Sequence, residues 1–435
     1  MKTNHIKILS ILFLSFTTCI VSCKKKGCTD PTATNFSSEA EKDDGSCVFD
    51  GGGTSNIIKT GFISSDETWS SSDIYELQGK VVVNSGVTLT IEPGTIIKGQ
   101  EGTGANASAL VISKGGMINA AGTSSAPIIF TSVLDNIQPG QLTGTNLDEN
   151  DQGKWGGIIV LGNAPISAGD GDVNSQIEGI PATDSYGAFG GSNSTESSGT
   201  LSYISIRHGG ALIGAGNEIN GLTLGGVGSG TTINNIEVVA NLDDGIEWFG
   251  GSCNASNILV GFQGDDGLDV DFSYSGTINE FIVINGSNSD EALEIDGPEG
   301  SSNTDGMFTI SNGTCYTFGS NADAAGDFKS KAQGSVTNVS LGTIKIRASY
   351  QNDCADAKTD AFTHLTDASP KLTFTGCSFT GLTVYTSSTD DAGVNDCSVP
   401  ATDQSAAEGV VNSGSASGGS NSGYSWTWAS ANGKL

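Results

Sequence analysis

Two stretches of this sequence repeat one another, and they decide the fold. Asn235–Glu247 reads Asn-Ile-Glu-Val-Val-Ala-Asn-Leu-Asp-Asp-Gly-Ile-Glu, and Asn257–Asp269 reads Asn-Ile-Leu-Val-Gly-Phe-Gln-Gly-Asp-Asp-Gly-Leu-Asp. The offset is 22 residues at every aligned position. A third copy starts at Glu280 and continues to Asp290-Glu-Ala-Leu-Glu294, about 25 residues further on. Self-similarity at a short, nearly fixed period indicates a repeat architecture.

An earlier pair of segments repeats at nearly the same spacing. Leu89–Gly99 and Leu110–Ala120 align at an offset of 21 residues, and each repeat holds short apolar strands broken by Gly, Asn or Asp. Such a length suits one turn of a parallel β-helix with three short faces. A β-sandwich would also give many short strands, but it does not explain a repeat of nearly constant length. The sequence therefore predicts an all-β solenoid, a parallel β-helix whose rungs pair only with their neighbours.

Alternate residues of each strand are expected to point into the coil, because successive side chains of a strand lie on opposite faces. The predicted inward-facing residues are Val81, Val83, Leu89, Ile91, Ile96, Leu110, Ile112, Ile128, Phe130, Ile158, Val160, Ile204, Ile206, Ile236, Val238, Ile258, Val260, Ile282 and Ile284. Residues 133–153 and 168–200 have the composition of loops inserted between rungs. Trp426 and Trp428 are spaced as in a strand, and we expect them to cap the open end of the coil.

The composition agrees with a β-rich chain and excludes one class of partner. The 435 residues include 62 Gly, 19 Lys and Arg, and 48 Asp and Glu, which gives a net charge of −29 at pH 7. Nucleic-acid binding needs clustered Lys and Arg to neutralise phosphates, so we expect no nucleic-acid partner. Charged residues make up 15% and apolar residues 36% of the chain, which is too apolar for a disordered acidic tail.

The N-terminus has the pattern of an export signal. Residues 1–22 begin with a basic segment and contain the apolar run Ile8–Val21, which is shorter than the roughly 20 residues of a membrane span. The run ends Ile20-Val21-Ser22-Cys23, which resembles a bacterial lipobox and implies lipidation of Cys23. We therefore expect a bacterial protein anchored to outer-membrane lipid, facing either the cell surface or the periplasm. The alternative is an ordinary signal peptide in which Cys23 is incidental.

A short cysteine-bounded module follows the signal. Cys28 and Cys47 enclose a polar loop that is too small to bury a core, so a staple is expected. The segment resembles the CTDP…DDGSC modules of secreted Bacteroidetes proteins and, loosely, thrombospondin type 3 calcium loops. The resemblance implies a Cys28–Cys47 disulfide and a calcium site that uses Asp30, Asn35, Asp43 and Asp44. A disulfide-closed spacer without metal is the alternative.

These signals divide the chain into a signal (1–22), a lipidated tether with the stapled loop and a Gly-rich linker (23–57), and the β-helix with inserted loops and a C-terminal cap (58–435). No apolar run long enough for a transmembrane span occurs after the signal. Five further cysteines lie in the β-helix segment. Cys354 could pair with Cys397 or with Cys377, and the sequence does not fix the connectivity.

Several segments together resemble a family of secreted β-helix lipoproteins of Bacteroidetes. They are Thr88–Gly99, Pro127–Ser132, Trp155–Gly162, Asn241–Gly251 and the closing Trp426-Thr-Trp428. The resemblance covers most of residues 58–435. It implies a right-handed parallel β-helix and brings no activity with it.

The repeats place acidic residues on successive rungs. The predicted columns are Asp243, Asp265 and Asp290; Asp244, Asp266 and Glu291; Glu247, Asp269 and Glu294; and Asp271 with Asp296. Two carboxylates about 5 Å apart repel by roughly 3 kcal/mol at an effective dielectric constant near 20. Because Ca²⁺ takes six to eight oxygen ligands, we expect it at this edge, bound by Asp243, Asp244, Asp265, Asp266, Asp269 and Asp271. A solvated acidic corner with raised pKa values is the alternative.

A catalytic interpretation uses the same residues. Asp265 and Asp266, with Asp243 or Asp244 one rung away and His208 on the same face, resemble the clustered acids of β-helix polysaccharide hydrolases. A lyase would also need a basic residue near its calcium, and the columns contain none. We therefore expect a non-catalytic binding or adhesion module for a glycan or an envelope or matrix protein. A calcium-dependent polysaccharide hydrolase or lyase and a purely structural spacer are the alternatives.

Overall fold

The computed structural model describes residues 25–29, 36–42, 56–169, 171, 173–213, 218–317, 322, 324–411 and 413–435. The chain forms two compact units, residues 1–54 and 55–435. In the first unit, Lys26 bridges to Lys42 and Cys28 is disulfide-bonded. The predicted signal, Cys23 and Cys47 lie outside the described residues, as do the proposed calcium ligands Asp30, Asn35, Asp43 and Asp44.

The second unit begins with nine strands that wind the first rungs. They are β1 (Asn56–Ile63), β2 (Glu67–Trp69), β3 (Ile74–Val83), β4 (Thr88–Ile91), β5 (Ile96–Gly99), β6 (Ala109–Ile112), β7 (Met117–Ala121), β8 (Ile128–Ser132) and β9 (Ile158–Leu161). The predicted loop 133–153 lies between β8 and β9. The second predicted loop lies before β12 and contains the antiparallel pair β10 (Ser175–Gln176) and β11 (Ala188–Phe189).

The later rungs carry the acidic residues. Their strands are β12 (Gly199–Arg207), β13 (Leu222–Gly225), β14 (Thr232–Val239), β15 (Ile246–Phe249), β16 (Asn254–Gly261), β17 (Leu268–Asp271), β18 (Thr277–Asn285), β19 (Leu293–Ile295), β20 (Phe308–Thr317), β21 (Gly326–Phe328), β22 (Gly334–Ser340) and β23 (Thr343–Arg347). The C-terminal elements are β24 (Ser349–Gln351), β25 (Asp356–Lys358), α1 (Ala361–Thr366), β26 (Leu372–Thr375), β27 (Gly381–Tyr385), α2 (Ala401–Val410) and α3 (Trp428–Ala431). None of the described helices is long and apolar enough to cross a membrane.

Parallel pairing arranges these strands in three faces, which confirms the parallel β-helix. Face A contains β2, β4, β7, the first halves of β12, β14, β16, β18, β20 and β22, and β26. Face B contains the first halves of β1 and β3, then β5, β8 and the second halves of the long strands from β12 to β22. Face C contains the ends of β1 and β3, then β6, β9, β13, β15, β17, β19, β21, β23 and β27.

The long strands bend between faces A and B at a residue with left-handed backbone geometry. These residues have φ between 50° and 56° and are Tyr203, Asn235, Asn257, Glu280, Asn312 and Asn338. Asparagine tolerates this region better than most residues, which explains why the two quoted repeats begin with it. The corner side chains also bond between rungs: Asn338 Nδ2 donates to Asn312 Oδ1 at 2.7 Å.

Most of the predicted inward-facing residues line the coil, but three do not. Ile96, Ile282 and Ile284 are buried in separate apolar clusters outside the main core. In the third repeat Phe281 and Val283 point inward instead. The connection after β17 is one residue longer than the connection after β15, and a shift of one residue moves each side chain to the opposite face.

Two helices, rather than the predicted tryptophans, close the C-terminal end of the core. Phe362 of α1 and Ala407 of α2 join the main apolar cluster, and α2 packs on α1 and β27. The Cys354–Cys397 disulfide, one of the two predicted pairings, lies in the same region. Trp426 lies outside any strand, and Trp428 begins α3.

Residues 413–435, which we call the C-terminal strap, contact the flank of the coil along face B. The hydroxyl of Tyr424 donates to the Ile258 carbonyl at 3.1 Å, and the backbone N–H groups of Trp428 and Ala429 donate to the Glu237 carboxylate at 2.8 and 2.9 Å. The strap buries the outward-facing apolar residues Val239, Leu259, Ile282 and Ile284. These contacts explain the burial of Ile282 and Ile284 on the outside of the coil.

Replacing Glu237 by Ala should destabilise the protein, because two buried strap N–H groups and the Ser205 hydroxyl would lose their acceptor. Leaving buried donors unpaired should lower the free energy of unfolding by about 3 kcal/mol, measured by urea denaturation. The exposed Glu101→Ala variant is the control and should behave as wild type. An unchanged urea midpoint for Glu237→Ala would show that the strap does not depend on this carboxylate.

Candidate functional site

Face C carries a vertical column of carboxylates, which we call the acidic column. Glu247 of β15 lies opposite Asp269 of β17, which lies opposite Glu294 of β19. Asp327 and then Lys345 continue the same column on β21 and β23. Since neighbouring strands are about 4.8 Å apart, the predicted stacking of Glu247, Asp269 and Glu294 is present in the structure.

The connections that lead into face C add a second set of acids, as predicted. The backbone N–H of Asp266 donates to Asp244 Oδ1 at 2.9 Å, so these two residues lie on adjacent rungs. The backbone N–H of Asp290 donates to the Asp265 carbonyl at 3.0 Å. A glycine follows each Asp-Asp pair and allows the chain to turn into the next strand. Asp244 and Asp266 are buried, whereas Asp265 is exposed.

Carboxylate oxygens from the two sets converge in two overlapping clusters. One consists of Asp243, Asp244 and Asp265, and the other of Asp244, Glu247 and Asp269. Within each cluster the oxygen atoms lie within 4.8 Å of one another. Asp244 belongs to both clusters, so the two groups form one continuous acidic site.

Burial and mutual repulsion raise the pKa values of these carboxyl groups. Burial has the largest effect at Asp244, Glu247 and Asp269, and neighbouring carboxylates raise their pKa values further, to well above the usual range. Burial followed by repulsion from Glu178 and Asp265 raises the pKa of Asp243 to about 7. The buried site therefore favours either protonation or a bound cation at neutral pH.

The structure adds two residues that the repeat pattern does not contain. Two side chains contact the acidic column from the side. Glu178 comes from the loop between β9 and β12, and Asn220 lies just before β13. Asn220 Nδ2 donates to Glu178 Oε1 at 3.2 Å and also to Glu247. Burial raises the pKa of Glu178 to about 7. The Oδ1 atoms of Asn220 and Asp269 are buried and have no hydrogen-bond partner among the described residues.

Lysines neutralise the far end of the acidic column, in contrast to the sequence-based expectation that no base lies there. Lys329 forms an ion pair with Glu294. Lys345 Nζ lies 3.5 Å from Asp327 Oδ2 and 3.7 Å from Glu291 Oε1. Positive charge is thus concentrated at one end, whereas no described lysine or arginine forms an ion pair with the clusters around Asp244.

Two predicted metal ligands, Asp266 and Asp271, lie outside both clusters, and Asp271 lies further along β17. Burial has the largest effect on its pKa, and the neighbouring Asp296 raises it further, to well above the usual range. The predicted pairing of Asp271 with Asp296 therefore agrees with the structure. Asp266 also lies outside the two clusters, although its buried Oδ1 has no partner among the described residues.

His208 does not join the catalytic arrangement that the sequence suggested. It follows β12 on face B, where its Nδ1 lies 2.8 Å from the Asp151 carbonyl and its ring lies edge-on to Trp428. Burial lowers the pKa of His208 to about 4. Its charged neighbours in the described structure are Asp135, Arg207 and Asp151. The other residues of the suggested catalytic arrangement lie in the connections that lead into face C; they are Asp243, Asp244, Asp265 and Asp266.

Trp155, which begins one of the segments that resemble the β-helix lipoprotein family, is part of the core. It is fully buried, it stacks on Phe130 with a centroid distance of 6.4 Å, and its Nε1 donates to the Arg207 carbonyl at 2.7 Å. A fully buried ring has no free face for a ligand. Arg207 is also fully buried: its Nε donates to Ser205 Oγ at 2.7 Å and its Nη1 donates to the Leu142 carbonyl of the loop before β9 at 2.8 Å.

The stability of the metal-free protein should fall as pH rises from about 6.5 to 8. The pKa values of Asp243 and Glu178 are raised to about 7 and that of Glu291 to about 8, so the folded state binds more protons than the unfolded state until these groups ionise. The stabilisation is complete below the unfolded pKa, near 4, and is lost as pH rises through the folded pKa. Thermal unfolding in EDTA measures the decline.

His208 opposes this trend weakly: it is neutral in the folded protein, whereas in the unfolded chain it is half protonated at pH 6.5 and loses the remaining charge by about pH 7.5. Asp243→Asn should reduce the decline, whereas the exposed Asp305→Asn should leave it unchanged. A Tm that stays constant or rises over this range would contradict the assignment of raised pKa values.

One family comparison covers nearly the whole second unit. A family described as a pectate-lyase-like β-helix domain matches residues 61–431, from β1 to the end of α3. No curated protein and no solved structure matches the chain. The match spans well over half of the 435 residues and agrees with the three parallel faces. The chain belongs to the family of pectate-lyase-like β-helix domains.

Proposed function

We propose that the protein is a calcium-stabilised, non-catalytic β-helix that binds a glycan at the bacterial cell envelope. The observation that carries this proposal is the cluster formed by the buried Asp244 and Glu247 with the half-buried Asp269. Buried carboxylates without a paired base need a cation or protons to offset their repulsion. The family description supports a carbohydrate ligand, because pectate is a polysaccharide.

The geometry of the clusters suits calcium. Calcium–oxygen distances are about 2.3–2.6 Å, so two ligand oxygens on opposite sides of one ion are separated by about 5 Å or less. The oxygens of Asp244, Glu247 and Asp269 lie within 4.8 Å of one another. Asn220 Oδ1 supplies a further buried oxygen without a partner in the described structure. Asp243 and Asp265 would hold an ion on the outer side of Asp244.

Burial argues for a structural role of these acids. Asp244 and Glu247 are each only 7% exposed, so a polysaccharide chain cannot contact them as a catalytic acid and base must. Ligand contacts would then come from loops on the rigid coil. The proposal includes the lipid anchor at Cys23 and the calcium site at Asp43 and Asp44, which rest on the sequence patterns alone.

A calcium-dependent polysaccharide hydrolase or lyase is the second candidate. The exposed Asp265 lies beside Asp243 and Asp244, and Lys329 and Lys345 bring basic groups to the acidic column. Both lysines are engaged in ion pairs with acids of the column, which favours a structural role for them.

Calcium should raise the Tm of protein that has been stripped with EDTA. Ligand at 100 times its Kd stabilises the folded state by about 2.7 kcal/mol. The double variant Asp244→Asn, Asp269→Asn should lose most of this calcium-dependent shift, while Asp305→Asn, on an exposed loop, should keep it. Absence of any shift, together with purified protein that contains no calcium, would reject the ion.

Glycan binding should occur without product release. A polysaccharide array would measure binding, and assays for reducing sugars and for unsaturated products on pectate and neutral polysaccharides would measure turnover. We expect bound glycan and no turnover, with Asp265→Asn binding as wild type. Turnover that disappears in Asp265→Asn would instead establish the hydrolase or lyase, and failure to bind any glycan would reject the proposed function.

A further inference from the structure

A short hairpin of the loop between β9 and β12 lies on the outer side of face C. It comprises residues 173–190, which we call the face C hairpin, and its strands β10 and β11 pair with each other in antiparallel register. In the described structure β10 and β11 form a sheet of their own and do not join the large sheet of the coil. The hairpin is therefore attached to the coil without strand pairing.

Apolar packing supplies part of that attachment. Ile180 and Phe189 of the hairpin are buried in an apolar cluster that is separate from the main core. On the side of the coil this cluster contains Val82, Val111 and Leu161, which point outward from β3, β6 and β9. Segments with few buried contacts open locally at a lower free energy than the core, so the position of the hairpin depends on what else restrains it.

Glu178 of the hairpin faces the acidic site. Asn220 Nδ2 donates to Glu178 Oε1 at 3.2 Å and also to Glu247, so the two carboxylates are neighbours across one amide group. Burial raises the pKa of both Glu247 and Asp243, and Glu178 is the charged neighbour that raises both pKa values most. Since Glu247 and Asp243 belong to different clusters, Glu178 lies close to both clusters, although it is a member of neither.

The oxygen atoms around Glu178 form a donor set for a hard cation. Asn220 is only 1% exposed, and its Oδ1 has no hydrogen-bond partner among the described residues. Calcium takes six to eight oxygen ligands from carboxylates and amide carbonyls, and Glu178 and Asn220 add such oxygens to those of Asp244, Glu247 and Asp269. Glu178 and Asp269 are half-buried, so an ion can enter from solvent.

The charge on Glu178 decides whether the acidic site attracts or repels the hairpin. Without a cation, the Glu178 carboxylate meets the like charges of Glu247 and Asp243, which repel it. A cation shared by these carboxylates reverses the sign of the interaction. Because β15, which carries Glu247, is fixed in the large sheet and the hairpin is not, the hairpin is the part that moves.

We propose that Glu178 is a calcium ligand and that calcium thereby fixes the face C hairpin on the coil. This inference rests on the calcium ion of the proposed function and names a ligand and a structural effect that the repeat does not provide. Pro181 and Tyr186 of the hairpin line a cavity of about 270 Å³, which Lys80 and Ile213 also line. Calcium therefore controls whether this cavity forms.

Hydrogen–deuterium exchange on the full chain tests the proposal, with EDTA or calcium chloride as the only variable. A two-stranded hairpin is marginally stable by itself, so its amide groups exchange when it leaves the coil. Calcium at 100 times its Kd favours the bound state by about a hundredfold, and we expect exchange of residues 173–190 to slow at least tenfold. The amide groups of β4 and β7 are the reference for the folded coil.

Glu178→Gln removes the charge and keeps a side chain of the same shape. Because it removes the repulsion as well as the ligand, its hairpin should exchange more slowly than that of the wild type in EDTA, and calcium should change the rate less than about twofold. Asp184→Asn is the matched control on the same hairpin. Its carboxylate accepts a hydrogen bond from the Tyr186 hydroxyl at 3.1 Å, and this variant should keep the calcium response.

The dependence of the Tm on calcium separates the possible failures. A wild-type Tm that rises with calcium while exchange of the hairpin stays the same keeps the ion and overturns this inference. Full calcium-dependent protection in Glu178→Gln, or faster exchange of its hairpin in EDTA than in the wild type, also overturns it. A wild-type Tm that does not respond to calcium rejects both the ion and its effect on the hairpin.

Discussion

Parallel pairing in exact register is the constraint on which this structure depends. When each rung pairs with its neighbours at about 4.8 Å, any residue type that recurs at one position must stack on itself. Apolar residues benefit, because Ile236 and Ile258 extend one continuous core. Carboxylates such as Glu247 and Asp269 are destabilised by stacking, because the same geometry brings like charges together inside the protein. The fold therefore creates an electrostatic problem wherever its repeat contains an acid.

The chain resolves this repulsion differently along the acidic column. At Glu294 and Asp327, Lys329 directly after β21 and Lys345 on β23 lie beside the acids and form ion pairs. Around Asp244 the residue added from outside the repeat is another acid, Glu178, together with Asn220. An additional buried carboxylate would only increase the repulsion unless protons or a cation were shared among the group. The asymmetry between the two ends is the main physical argument for an ion near Asp244.

The repeat made much of this predictable, and its irregularities account for the rest. Constant offsets placed Glu247 on Asp269 correctly, but one added residue after β17 exchanged Ile282 for Phe281 in the core. Lys345 was missed because the spacing between β21 and β23 differs from the repeat, so no fixed offset leads to it. Glu178 and the strap come from segments without repeats, and their docking depends on long-range packing that local patterns do not encode. The prediction for His208 was wrong for the same reason. The sequence indicates the rung of the coil to which His208 belongs, but not the face on which it lies.

The connection after β16 shows how the coil fixes the acidic site before any ion binds. Gln263, two residues before Asp265, is fully buried, and its Nε2 donates to Asn285 Oδ1 at 2.9 Å. The backbone N–H of Asp266 donates to Asp244 Oδ1 on the neighbouring rung at 2.9 Å. Asp265 is therefore held from both sides, and restraint before binding reduces the entropy lost when a ligand docks. A cation shared by Asp243, Asp244 and Asp265 would meet carboxylates whose backbone positions the fold has already set.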